Sequence, residues 1–174
     1  MSILTIIFYT IILLSSSVIG FLYANTFSKR AKNIMDLEYC IRILETEILA
    51  GNTPLPEALN NVYSKGKGDI AQIFYDINQD LLNEKRGDIY DSFLSLEIQL
   101  KNNYSFEQED IETILFLGKI LGKTNRLDQE KNFNFIKEQI NELAVQANLE
   151  KEKNEKLYRS LGVVMGVGII IILV

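Results

Sequence analysis

The chain has 174 residues, 47% of them apolar and 24% charged, with a net charge of −5. It has no histidine and a single cysteine, Cys40, which removes the commonest general base, the usual zinc ligand sets and any intrachain disulfide. An acidic surface is also a poor match for phosphate backbones, so no nucleic acid, metal or cofactor is expected.

Charge is confined to Lys29 through Arg159, and residues 1–28 and 160–174 carry none. Ile3 to Tyr23 is apolar or hydroxylated throughout, and roughly 20 such residues suffice to cross a bilayer. A cleaved signal peptide would open on basic residues and close on a small-x-small site; Met1-Ser2 and Tyr23-Ala24-Asn25 supply neither, so a retained anchor is expected. Lys29, Arg30 and Lys32 follow this span directly. Lys151, Lys153, Lys156 and Arg159 precede the C-terminal one. By the positive-inside rule the middle block is cytoplasmic and both ends lie across the membrane. The expected division is 1–28, a transmembrane segment; 29–156, a cytoplasmic helical block; and 157–174, a second transmembrane segment. Within residues 33–149 there are 11 basic and 20 acidic side chains, so the positive charge forms a collar suited to anionic headgroups and the acidic charge lies in the block.

The block reads as helices throughout. Ile34, Leu37, Ile41, Leu44 and Ile48 step by three and four, one apolar stripe on a helix continuing from the first span until Gly51. Thr53-Pro54 supplies an N-cap and a first-turn proline for a second helix with Leu55, Ala58, Leu59 and Val62 inward. Lys65 to Gly68 is a loop, lacking the strand and hydroxyl of a phosphate loop. Asp69 caps a third helix with Ile70, Ile73, Phe74, Ile77 and Leu81 inward. After Gly87-Asp88 a fourth buries Ile89, Phe93, Leu96 and Leu100. Ser105 with Gln108 has the form of a capping box, opening a fifth helix with Ile111, Ile114, Gly118 and Leu121 inward and Gly122 beyond its end. From Arg126 a sixth runs into the second span, burying Phe133, Ile136, Ile140, Leu143 and Ala147. Its Glu150 to Lys156 stretch reads as a solvated stalk with a Glu152–Lys156 pair. The expected fold is all-α: an antiparallel bundle of about six helices with N- and C-terminal transmembrane helices.

No residue set has the form of a catalytic centre, and no enzymatic activity is expected. Glu45 and Glu47 stand about 200° apart on a regular helix and cannot serve one reaction centre unless the helix is distorted. Glu107, Glu109, Asp110 and Glu112 crowd a helix start, where the dipole favours acids. These six, with Glu57, are candidate contacts for a basic partner. Ser16 with Gly20, and Gly162 with Gly166, are small residues four apart, suited to packing membrane helices. Cys40 is a small buried hydrophobe, or, near a membrane, a lipidation site.

The order of features resembles a known family. A terminal span is followed by Leu44-Glu45-Thr46-Glu47-Ile48, Thr53-Pro54-Leu55-Pro56-Glu57-Ala58-Leu59, Leu117-Gly118 with Leu121-Gly122, and a long helix entering a glycine-containing span. This resembles the stage III sporulation protein AB family over essentially the whole chain, departing at Thr124-Asn125, where an acid is expected, with Asp128 later. That family is similar to one cytoplasmic repeat of the platform protein of type II secretion and type IV pilus machines, the general secretion pathway protein F group. The resemblance implies a component of the mother-cell-to-forespore channel complex in the outer forespore membrane. It further implies a cytoplasmic secretion-type ATPase and other channel subunits as partners. Self-association is left open. A platform protein of another pilus or secretion machine and a membrane-anchored helical sensor are the alternatives.

Overall fold

The structure, a computed structural model, describes residues 3–83, 88–121 and 126–173. Only helices occur among them: α1 (Ile3–Glu45), a π-helical turn (Thr46–Ala50), α2 (Leu55–Lys65), α3 (Ile70–Leu82), α4 (Ile89–Ser95), α5 (Glu97–Tyr104), α6 (Gln108–Leu121) and α7 (Arg126–Leu173). The chain divides into two compact units: the described residues of Met1–Lys29 with Ala147–Val174, and Arg30–Gln146. Helices α1 and α7 contribute to both.

The central unit, Arg30–Gln146, is held by the stripes read from the sequence. Ile34, Leu37, Ile41 and Leu44 of α1 are buried with Ile70, Ile73, Phe74 and Ile77 of α3 and Phe133, Ile136 and Ile140 of α7. Helices α2 and α3 form a helical hairpin, and α4 packs on α6. Gly118 makes that contact close: a Cβ there would lie 2.9 Å from the Phe93 ring, and Phe93 is fully buried.

Where the elements begin and end differs from the sequence reading in four places. The single helix expected over Ile89–Leu100 is two, broken at Leu96, where the Leu96 N–H turns to the Phe93 carbonyl at 3.1 Å and the Ser95 hydroxyl takes the Ser92 carbonyl at 2.7 Å. This hydroxyl competes for a carbonyl of the helical ladder. Thr53 does not cap α2; its Oγ1 donates to Glu47 instead, at 3.0 Å, and Pro54 holds the N-cap position. Asp69 sits at the N-cap of α3 without a side-chain capping bond. Ser105 makes no capping box, because it has the left-handed backbone (φ 59°) that closes α5. Asp110 does that work for α6, accepting the Glu107 N–H at 2.8 Å. Gly122 and the Thr124-Asn125 departure lie outside the described residues, as does Gly87; Asp128 falls in the first turn of α7.

The terminal unit is an antiparallel helix pair, since Leu13 meets Gly166, Gly20 meets Gly162, Tyr23 meets Tyr158 and Ser28 meets Glu155. Its exterior is apolar: Ile3 is 78% exposed and Ile172 85%. Small residues face inward and large apolar ones outward, the reverse of a water-soluble helix pair. Both α1 and α7 contain stretches long and apolar enough to cross a membrane.

Candidate functional site

The acidic start of α6 is built around a buried ion pair. Arg30 and Asp110 are 2% and 1% exposed, joined by Nε to Oδ2 at 2.8 Å and Nη2 to Oδ1 at 3.0 Å. Glu107, on the surface side, lies 3.5 Å from Arg30 Nη1. One turn along α1, Asn33 donates to the Tyr104 carbonyl at 2.8 Å. Asp110 is therefore not an outward contact residue but part of the core, a correction to the sequence reading. Its neighbours Glu109 and Glu112 are exposed.

Glu45 and Glu47 serve different elements. Glu45 accepts from Lys137 of α7 at 2.7 Å. The π-turn swings Glu47 toward α2, where it accepts from Lys65 Nζ at 2.7 Å, Asn61 Nδ2 at 2.9 Å and Thr53 Oγ1. Those donors, Lys65 first, hold the Glu47 carboxyl below the ordinary glutamate range. Both side chains are only partly exposed and engaged within the chain. Glu57 is exposed on α2. The candidate contacts thus separate into three positions at the surface (Glu57, Glu109, Glu112), one at its edge (Glu107) and three that brace the fold.

Between α6 and α7 runs a groove of about 420 Å³ lined by Glu109, Glu112, Phe116, Phe135, Glu142 and neighbouring residues. The two phenylalanine rings meet edge to face at 5.7 Å. Sequence reading passed over this groove because Phe116 and Phe135 lie beside the buried stripes rather than on them.

In the terminal unit the small residues approach to backbone contact. A Cβ on Gly20 would lie 2.7 Å from Gly162 Cα, and one on Gly166 would lie 3.1 Å from Leu13. Ser16 Oγ donates to the Gly162 carbonyl at 2.6 Å. At one end Tyr23, Phe27 and Tyr158 cluster with centroids 4.6–5.8 Å apart. Beyond them Glu155 accepts from Ser28 and pairs with Arg159, in a different register from the Glu152–Lys156 pair read from the sequence.

The family model of stage III sporulation protein AB matches residues 5–174. The chain belongs to the stage III sporulation protein AB family. It is 26% identical to stage III sporulation protein AB of Bacillus subtilis (strain 168) over 157 residues, covering 88% of this chain and 90% of that protein. Its fold matches a solved structure of stage III sporulation protein AB with a TM-score of 0.63 and 20% identity, over 71% of this chain and 96% of the other. These relatives are named for a stage of sporulation rather than for a reaction, and the chain is a sporulation protein. In this family member the motif residues are structural: Glu45 and Glu47 tie the π-turn to α7 and α2, Ala58 and Leu59 are core, and Gly118 seats Phe93.

Arg30, taken from the sequence only as part of the basic flank, was the residue most underestimated. Its signal was present. It stands four residues before Ile34, on the buried stripe, as Asp110 stands four before Ile114, and a charge at a stripe position calls for a partner.

Proposed function

We infer that this chain is a non-enzymatic membrane platform of the mother-cell-to-forespore channel complex, coupling a cytoplasmic secretion-type ATPase to the membrane channel. The observation that carries this is the terminal helix pair: glycines pack against backbone while the large apolar side chains face out, the arrangement suited to lipid. The basic flanks support a cytoplasmic position for Arg30–Gln146. There, Glu57, Glu109 and Glu112 offer an acidic surface to a basic partner, favouring steering and register over raw affinity. The family membership supports a role in sporulation, and the bracing ion pairs support a rigid scaffold rather than a reacting centre.

The test is capture of the ATPase by the full chain in detergent micelles. Replacing Glu57, Glu109 and Glu112 together by lysine should weaken capture, and the loss should shrink as salt rises, since the wild-type attraction is itself screened. Helical content should be retained. A fragment beginning at residue 33 is unsuitable, because it omits Arg30 and leaves Asp110 buried without its partner. Undiminished capture by the reversed protein at low salt would refute the acidic contact.

A further inference from the structure

The groove between α6 and α7 combines an aromatic floor with an acidic rim. Phe135 is 48% exposed, so part of its ring is open to an incoming group. Glu109 and Glu112 rise from α6 and Glu142 from α7, all three exposed, and none of the residues lining the groove is basic. Of the basic side chains close by in sequence, Lys137 pairs with Glu45 at 2.7 Å, Lys119 lies over the Tyr90 ring at 5.1 Å, and Lys131, one turn before Phe135, is exposed but not part of the groove lining.

This combination discriminates among occupants. An apolar helix laid over the groove would strip water from three carboxylates and pair none of them, an unfavourable exchange. A small metal ion needs tightly grouped ligands, and no three His, Cys, Asp or Glu among the described residues are so grouped. A guanidinium group meets both features at once: it is flat and weakly hydrated, stacks on an aromatic ring, and presents five donors to carboxylates. A groove of about 420 Å³ admits such a side chain whole.

We propose that the groove receives an arginine side chain from a basic segment of a protein partner, the guanidinium lying against Phe135 and hydrogen-bonded to the rim carboxylates. This rests on the reading of the acidic face as the partner contact and gives it a specific anchor. Arginine is enriched among the residues that carry most of the binding energy at protein interfaces.

The experiment places trifluoromethylphenylalanine at residue 135 of the full chain in an uncharged detergent and follows its fluorine resonance. The probes are a helical alanine–glutamine peptide with one central arginine and the same peptide with citrulline, which keeps the shape and loses the charge. The arginine peptide should shift the resonance saturably, and the citrulline peptide should bind weaker by about tenfold or more. Glu112→Gln with Glu142→Gln should weaken the arginine peptide to a similar degree, while Asp91→Asn, at an exposed acid of α4 outside the groove, should leave it unchanged. No saturable shift, equal response to citrulline, or equal loss in Asp91→Asn would overturn the proposal. The partner's identity is decided separately. If Phe135→Ala loses the peptide but captures the ATPase undiminished, the groove stands and the ATPase is not its occupant. If even the wild-type chain fails to capture the ATPase, the coupling reading falls while the peptide still decides the groove.

Discussion

Replacing Asp110 by asparagine keeps the size of the side chain and removes its charge, depriving the buried Arg30 guanidinium of its bidentate carboxylate. Two of that group's donors now end on Asp110 at 2.8 and 3.0 Å, and Glu107, the other nearby carboxylate, is 3.5 Å away with its side chain 55% exposed. Breaking such a buried pair from one side costs about 3–5 kcal/mol. For a unit of this size each kcal/mol corresponds to roughly 3–5 °C of melting temperature, so the midpoint should fall by about 9–25 °C. The double variant Arg30→Met with Asp110→Leu removes both charges and fills the space. It should recover most of the loss, because apolar replacement of a buried pair is commonly near neutral. Asparagine keeps an oxygen that can accept the Glu107 N–H; leucine does not, but Glu107 is exposed and water can serve it. Circular dichroism melts of the full chain in micelles measure all three proteins. A single variant within about 1 kcal/mol of wild type, or a double variant as unstable as the single, would refute the claim that the pair is buried and mutually dependent.

Other perturbations test the rest of the structure. Glu47→Gln should lower the melting temperature at neutral pH. Because the folded-state pKa of Glu47 is depressed, chiefly by Lys65, its contribution is present above the ordinary glutamate range and lost as pH falls through the folded value. The two melting curves should therefore converge in acid, and a pH-independent offset would contradict this. Gly118→Ala puts a methyl group 2.9 Å from the Phe93 ring and should cost about 1–3 kcal/mol, partly relieved by Phe93→Leu; an unchanged midpoint would place Phe93 elsewhere. Cys40 is fully buried, and burial raises its thiol pKa. Maleimide labelling should be slow in the native chain and fast in urea, and rapid native labelling would reopen the lipidation reading. Gly20→Ile should part the terminal helices, lengthening the distance between spin labels at Leu14 and Val163; an unchanged distance would count against the glycine contact.

The helical stripes were legible because each depends only on spacing along one element, and Ile34 to Leu44 or Phe133 to Ala147 repeat without interruption. Element ends were less so. Thr53, Asp69 and Ser105 each have the composition of a cap, yet a hydroxyl or carboxylate bonds whatever partner tertiary structure brings nearest, and for Thr53 that is the Glu47 carboxylate, six residues back. The break at Leu96 has no glycine or proline to announce it. The π-turn was similarly hidden. Of the candidate contacts, Glu57, Glu107, Glu109 and Glu112 are exposed. The burial of Asp110 was not legible, because an acid near a helix start already has a sufficient local explanation in the dipole and so does not announce a partner 80 residues away.

The Ser16–Gly162 bond joins residues 146 apart in sequence, and this has a consequence for biosynthesis. Translation proceeds at about 5–20 residues per second, so the first apolar helix waits roughly 7–30 s before its mate leaves the ribosome. Throughout that interval the notch at Ser16 and Gly20 stays open to any other helix nearby. Polypeptides terminated prematurely, upstream of Gly162, never close it. Such products would present the small-residue notch, without its Gly162 partner, to whatever helix they meet.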